Sequence, residues 1–242
     1  MSILSDKRYF ILLMQLIGPP ISLWALFTYS TPVLLVITLI MFFLMKCVGV
    51  TITYHRIHAH RTHELNPITE FVYTALGFYG SSISPIEFCG SHNNHHKYVD
   101  TDKDPHPHSI MGWKSLFPVF WNNSTPTSGD LRTMVRLRRN KTTNLFHTHY
   151  YKLMLLPFVL LFVSAPVYFF VYFIPMTMTM WAGSYATFNH DETGPINRGW
   201  LFGIVTGGEH HHIWHHSHPN DTSGEGWLNS VANFIAKKRI TQ

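Results

Sequence analysis

The chain has 242 residues, of which 46% are hydrophobic and only 13% are charged. That charged fraction is about half of what an ordinary soluble domain carries, and the apolar residues are gathered into long runs, so the composition argues against such a domain and indicates a protein of the lipid bilayer. The formal net charge of +5 is explained by basic residues that flank the apolar runs and face anionic membrane lipid. We therefore expect no nucleic-acid partner.

Two apolar runs near the start, residues 9–29 and 32–52, contain a single charged side chain, Lys46. Each run has the roughly 20 residues that a helix needs to cross a hydrocarbon core of about 30 Å. Only two residues separate the runs, which predicts an antiparallel hairpin of membrane helices. We expect the Lys46 side chain to extend toward the membrane interface.

A second hairpin is predicted later in the chain, with membrane helices at residues 153–173 and 176–190 and a break at Pro175. Residues 69–88 are apolar but rich in Gly and Ser, and we expect them to be amphipathic or re-entrant. If they crossed the membrane, the histidines on either side of them would be separated.

Basic residues indicate the orientation of these helices. Lys7 and Arg8 precede the first helix, residues 132–141 and Lys152 precede the third, and residues 237–239 follow the fourth, whereas the two far turns of this topology contain no Lys or Arg. The positive-inside rule then places both termini and the large middle region in the cytoplasm.

The predicted fold is an all-α integral membrane protein with four transmembrane helices in two hairpins and a cytoplasmic helical cap. We expect a single domain over residues 1–242, with cytoplasmic metal-binding regions at residues 55–152 and 190–242. The expected membrane is the endoplasmic reticulum or the bacterial inner membrane.

Eighteen histidines cluster just beyond the predicted helix ends. Three clusters contain His55 and His60; His92-Asn-Asn-His95-His96; and His212-Ile-Trp-His215-His216, and His190 stands alone after the fourth helix. Because residues three and four apart share a helix face, each triplet is predicted to converge on one point. His55 and His60 lie five apart and require a local change in the helix to meet.

So many histidines on one side of the membrane indicate more than one metal ion. A zinc site needs three or four ligands, and nine imidazoles are too many for one ion. A pair of ions with four or five ligands each would use them, and a set of histidines without thiolates argues against an iron–sulfur cluster.

The order and spacing of these boxes resemble those of the membrane fatty acid desaturase family, whose boxes read HxxxxH, HxxHH and HxxHH. The resemblance implies a non-haem centre of two iron ions, with O2 as cosubstrate, and a fatty acyl substrate carried as a CoA thioester or an acyl lipid. It also implies a separate electron donor such as cytochrome b5 or ferredoxin. The ligands that it implies are His55, His60, His92, His95, His96, His190, His212, His215 and His216.

The chain departs from the animal acyl-CoA desaturases at two places. Ala186 stands where they have an asparagine that holds a metal-bound water, and Gly90 and Ser91 replace an Arg-Asp pair that helps hold CoA. Four side chains are expected to support the site from outside the ligand set, three of them by accepting a hydrogen bond from a ligand imidazole. These are Asn189, Asp102, Asp104 and Glu209.

Other functions fit the same features. A di-iron hydroxylase or oxidase of a lipid or alkane would use the same ligands, and a metal transporter or sensor would bind metal without chemistry. Basic residues 132–141 and 237–239 could dock an acidic electron donor or a phosphate-bearing headgroup, although membrane anchoring is favoured.

Overall fold

The computed structural model describes residues 7–121 and 130–239, and these are mostly helical. The helices are α1 (Lys7–Tyr29), α2 (Pro32–Ala59), α3 (Pro67–Ser81), α4 (Pro85–Tyr98), α5 (His108–Met111), α6 (Leu131–Arg139), α7 (Lys141–Thr148), α8 (Tyr150–Val163), α9 (Ala165–Asn189), α10 (Trp200–Thr206), α11 (His212–Ser217) and α12 (Trp227–Ile235). Short 3-10 turns cover Gly112–Leu116 and Pro118–Phe120. The strands are β1 (His63–Glu64), β2 (His190–Asp191), β3 (Gly194–Pro195) and β4 (Lys237–Lys238), and β1 pairs with β4 and β2 with β3, both antiparallel.

Three helices in the described ranges are long and apolar enough to cross a membrane. They are α1, α2 and α9, with 23, 28 and 25 residues. A fourth crossing would combine α7 and α8, which are bent by 78° where they meet. The chain is therefore a helical membrane protein with three candidate spans, and the arrangement of four spans in two hairpins stays a prediction.

Helix α2 extends beyond the predicted end at residue 52 and reaches Ala59. From Leu44 onward it winds as a π-helix, in which each N–H donates to the carbonyl five residues earlier. Past its last residue, His60 N still donates to His55 O at 3.2 Å. This wider winding places residues five apart on one face, which is the local change that His55 and His60 require.

The break in the second apolar region lies at Ser164 and not at Pro175, so the predicted break is wrong. Ser164 has extended backbone, and its side chain accepts from Val167 N and caps α9. Pro166 occupies the first turn of α9, where its missing N–H is tolerated. Pro175 follows the π-helical turn Phe169–Phe173 and α9 continues through it.

Helices α3 and α4 form a hairpin that enters the molecule and returns. Helix α3 runs antiparallel to the second half of α2, because His58 contacts Thr74 in the middle of α3, while a Cβ on Gly77, further along α3, would lie 2.7 Å from the earlier residue Gly49 at its O atom. The chain then reverses at Ser82, whose φ is 55°, and α4 leads back. The histidines that precede α3 and those at the end of α4 therefore lie at the same end of this hairpin.

The Lys46 side chain does not extend to an interface. It is only 2% exposed, and its Nζ donates to Thr51 Oγ1 at 3.1 Å. The expected extension is wrong because the π-helical winding brings this hydroxyl, five residues along α2, beside the ammonium group.

Candidate metal centre

Five histidines from three helices bring one ring nitrogen each to a common point. The ligand atoms of His55, His60, His92, His96 and His215 all lie within 4.8 Å of one another. The Nε2 atoms of His55 and His96 each lie 2.8 Å from Nε2 of His215, and those of His60 and His92 are also 2.8 Å apart. We call this set the five-histidine group.

The other four predicted ligands form a second group beside the first. The four-histidine group contains His95, His190, His212 and His216, again with ligand atoms within 4.8 Å of one another. Nε2 of His212 lies 2.9 Å from that of His190 and 3.0 Å from that of His216. The rings of His96 and His216 stack at 4.2 Å, so the two groups are adjacent. All nine predicted residues are thus in one of the two groups.

Each HxxHH triplet is divided between the groups, so the prediction that a triplet converges on one point is wrong. Helix α4 gives His92 and His96 to the five-histidine group and His95 to the other. Helix α11 does the reverse, giving His212 and His216 to the four-histidine group and His215 to the five-histidine group. The reason is that residues advance by about 100° around a helix, so neighbouring residues of a triplet diverge toward two centres.

The close approach of these nitrogens fits bound metal better than hydrogen bonding between rings. His95 and His190 each direct Nδ1 at a carboxylate 2.8 Å away, so Nδ1 carries the proton and Nε2 has only a lone pair. Their Nε2 atoms are nevertheless 3.2 Å apart. Two nitrogens bound to one ion at 2.0–2.1 Å lie about 2.9–3.4 Å apart, which matches this spacing.

Burial keeps four of the grouped imidazoles neutral. It is the largest cause that lowers the pKa of His60, His92, His212 and His215 well below the usual value, and neighbouring histidines or Arg56 lower these pKa values further. A metal binds the neutral ring, so these ligands need lose no proton at neutral pH.

Carboxylates orient the five-histidine group with the help of a buried arginine. Glu209 Oε1 lies 2.9 Å from His55 Nδ1, and Glu225 Oε1 lies 3.3 Å from His215 Nδ1. The Arg56 guanidinium donates to Glu225 at 2.8 Å and to Glu209 at 3.3 Å. Burial raises the pKa of Glu209, but its interactions with His55 and Arg56 outweigh burial and hold that pKa well below its usual value. The sequence reasoning missed Arg56 and Glu225.

Two aspartates orient the four-histidine group. Asp104 accepts from His95 Nδ1 and Asp100 from His190 Nδ1, both at 2.8 Å. Burial opposes ionisation of Asp104, but the hydrogen bond from His95 prevails and lowers the pKa of Asp104 to about 2. The sequence reasoning missed Asp100, which lies four residues after His96, the last histidine of the second box.

Asp100 and Asp104 accept the hydrogen bonds from ligand imidazoles that were expected of Asp102. Asp102 is exposed and makes no hydrogen bond to a histidine within the described ranges, because the turn after α4 points it outward. Asn189 is buried and its Nδ2 donates to the backbone O of Glu209, so it contacts the third-box loop and not a ligand ring. Asp104 and His106 also approach His95 as a third possible set of ligands.

Comparison with known proteins agrees with this geometry. The family model described as "Fatty acid desaturase" matches residues 29–222. Acyl-CoA desaturase 1 of Saccharomyces cerevisiae is 29% identical over 197 residues, which cover 72% of this chain but only 38% of the yeast protein. Stearoyl-CoA desaturase of Sus scrofa is 28% identical over 228 residues, covering 80% of this chain and 61% of the pig protein.

A bacterial relative is similar to the same extent. The sn-2 palmitoyl-lipid 9-desaturase of Nostoc sp. (strain 36) is 26% identical over 197 residues, covering 73% of this chain and 67% of that protein. The family match includes every histidine of both groups. The chain belongs to the fatty acid desaturase family.

Proposed function

We propose that this protein is a di-iron, O2-dependent desaturase that introduces a double bond into a fatty acyl chain. The observation that carries the proposal is the pair of histidine groups, nine imidazoles with nitrogens spaced as around bound ions, in a chain of this family. All nine would bind the two iron ions, and the relatives named above are all called desaturases.

Two iron ions with O2 and two external electrons supply an oxidant strong enough to remove hydrogen from an unactivated methylene, which side-chain acids and bases cannot do. The protein's own residues hold the ligands in place. Asp104 and Asp100 each keep the proton on Nδ1 of a histidine, which leaves Nε2 free to bind. Glu209 and Arg56 both contact His55 Nδ1 and position that ring.

The proposed substrate is a fatty acyl chain carried either by CoA or by a lipid. The yeast and pig relatives are named for acyl-CoA, and the Nostoc relative is named for an acyl lipid. Because this chain lacks the Arg-Asp pair at Gly90 and Ser91, the CoA thioester is the less supported of the two.

We further propose four membrane crossings, with both termini and the histidine groups in the cytoplasm. The absence of Lys and Arg from the turns at residues 30–31 and 164 supports this orientation. Electrons would come from a separate carrier such as cytochrome b5 or ferredoxin.

The test is lipid analysis by gas chromatography and mass spectrometry of cells that express the protein with a compatible electron donor. Wild type is compared with the double variant His95→Ala, His96→Ala, which removes one ligand from each group. His149→Ala, an exposed histidine outside both groups, is the matched control. A new unsaturated acyl chain is expected with wild type and control only.

Two results would overturn the proposal. Hydroxylated lipid in place of unsaturated lipid would identify a hydroxylase with the same ligands. Unchanged lipid, together with metal uptake into vesicles that the double variant abolishes, would identify a transporter.

A further inference from the structure

A second site lies away from the metal centre, in a pocket of about 340 Å³. It forms where the last turn of α2 and the segment after it, which includes β1, meet helix α6 and Arg239, the residue that follows β4. Its charged lining residues are Arg61, Glu64, Glu70, Arg136 and Arg239. The nine histidines of the metal centre are not among its lining residues. Nothing in the desaturase chemistry uses it.

The fold brings together three arginines that are far apart in the sequence. Pairing of β1 with β4 carries Arg239 to the loop after α2, where its backbone N donates to Thr62 O at 3.0 Å. Helix α6 supplies Arg136, whose Nη2 donates to His58 O at 2.5 Å. Arg61 completes the set from the loop itself.

The carboxylates of the pocket leave two of these arginines without an acidic partner. Glu64 accepts from Arg239 at 2.9 Å, and Glu70 accepts from Asn140 at 2.8 Å. Within residues 7–121 and 130–239, Arg61 makes no hydrogen bond or ion pair through its side chain, and Arg136 bonds only a backbone carbonyl. Burial lowers the pKa of Arg136, and the charges of Arg61 and Arg239 lower it further, while Cys89 and Asp130 act in the opposite direction without reversing the shift. A bound anion would relieve this repulsion.

The backbone conformation at Arg61 is a second, independent indication that the pocket has a function. Its φ is 61°, in the left-handed region that is unfavourable for a residue with a Cβ. If the turn served only to connect α2 to β1, glycine would adopt it without strain. Instead the position carries an exposed guanidinium, and strained residues of this kind are concentrated at functional sites.

The surface beside the pocket indicates which kind of anion the pocket binds. Helix α3 begins at the pocket, where it contributes Glu70, and runs along the candidate membrane span α2. On the same helix Ile68, Phe71 and Val72 are 78%, 46% and 47% exposed. The pocket therefore opens where an apolar surface starts, which is where lipid headgroups lie beside a membrane helix.

We propose that this pocket binds the phosphate group of an anionic membrane lipid, through Arg61 and Arg136. Guanidinium groups pair with phosphate through two parallel hydrogen bonds, which suits two arginines that lack carboxylate partners. This proposal is independent of the reaction that the metal centre performs.

Native mass spectrometry of the purified protein in an uncharged detergent tests the proposal. The protein is titrated with phosphatidic acid and, separately, with phosphatidylcholine. Wild type is expected to retain phosphatidic acid preferentially, and Arg61→Gln is expected to weaken that retention about tenfold or more. Arg138→Gln makes the same charge change at an exposed position outside the pocket and is expected to bind as wild type does.

A further variant separates lipid binding from folding. Arg61→Gly removes the guanidinium but also relieves the backbone strain, so its melting temperature should equal or exceed that of wild type while lipid retention falls. Inorganic phosphate at the same concentration is expected not to displace the lipid.

Three results would overturn the proposal. Equal retention of phosphatidic acid by wild type and Arg61→Gln would show that the pocket is not the site. If Arg61→Gln instead received electrons from cytochrome b5 more slowly than wild type does, the pocket would be the binding site of an acidic electron donor. Displacement by inorganic phosphate at equal concentration would identify a site for free phosphate.

Discussion

The two histidine groups both consist of imidazoles, but different side chains orient those imidazoles in each group. In the five-histidine group, Glu209 and Glu225 are joined by the buried Arg56 guanidinium, so its orientation depends on contacts between residues more than 150 positions apart. In the four-histidine group, Asp100 and Asp104 come from one turn after α4 and bond the rings without an arginine between them. The comparison teaches that the carboxylates around one group come from distant segments joined by an arginine, whereas those around the other come from a single turn, from which Asp104 reaches His95 nearby and Asp100 reaches His190, 90 positions away.

Removal of both metal ions by a chelator should have the largest effect on stability. Each ion stabilises the folded protein by about 2.7 kcal/mol when free iron is about a hundredfold above its dissociation constant. We expect the melting temperature to fall and the iron to leave in two phases, the four-histidine group first, because it has one ligand fewer and no arginine joins its two carboxylates. Mössbauer spectra recorded during chelation would follow the two phases. A single phase would contradict the distinction between the groups.

Replacement of Arg56 should affect the five-histidine group selectively. Arg56→Gln leaves two buried carboxylates without their cation, which costs about 3–5 kcal/mol. Arg56→Lys keeps the charge but cannot bridge both glutamates, so we expect it to fold and to bind one iron per chain instead of two.

Iron content by mass spectrometry and the melting temperature measure these effects, with Arg138→Gln as the control on an exposed surface. Two irons in Arg56→Lys, at wild-type stability, would show that the guanidinium does not position the ligands.

Asp104→Asn is the matched change in the other group. The amide cannot accept from His95 Nδ1 as strongly as the carboxylate does, and the loss of such a partner typically lowers metal affinity about 10- to 100-fold. We expect the iron of the four-histidine group to be lost at low free iron while that of the five-histidine group is retained. Loss of both irons together would mean that the groups are not supported separately.

Asp100→Asn should have the smallest effect. Its side chain is partly exposed, so water can replace the hydrogen bond to His190 Nδ1. We expect metal affinity to fall less than tenfold, as judged by the same iron titration. An effect as large as that of Asp104→Asn would show that partial exposure does not weaken this contact.

The nine histidines could be proposed as ligands from the sequence, because the resemblance that implies them depends on the order and spacing of the boxes, which are properties of the chain alone. It could not predict how the histidines divide between the groups, since that depends on how α4 and α11 are rotated toward each other. The π-helical winding of α2 was also inaccessible, because no local residue preference distinguishes it from an α-helix. Glu225 and Arg56 were missed for a related reason, as they meet only in the folded protein.

The bridge between Arg56 and Glu225 has a consequence for biosynthesis. The two residues are 169 positions apart, and at about 5–20 residues per second a ribosome needs on the order of 10–30 s to make the intervening chain. During that time Arg56 lies near the end of α2 without either glutamate. The five-histidine group is therefore complete only after translation has passed His215 and Glu225, so any metal that it binds is acquired late in the life of each molecule.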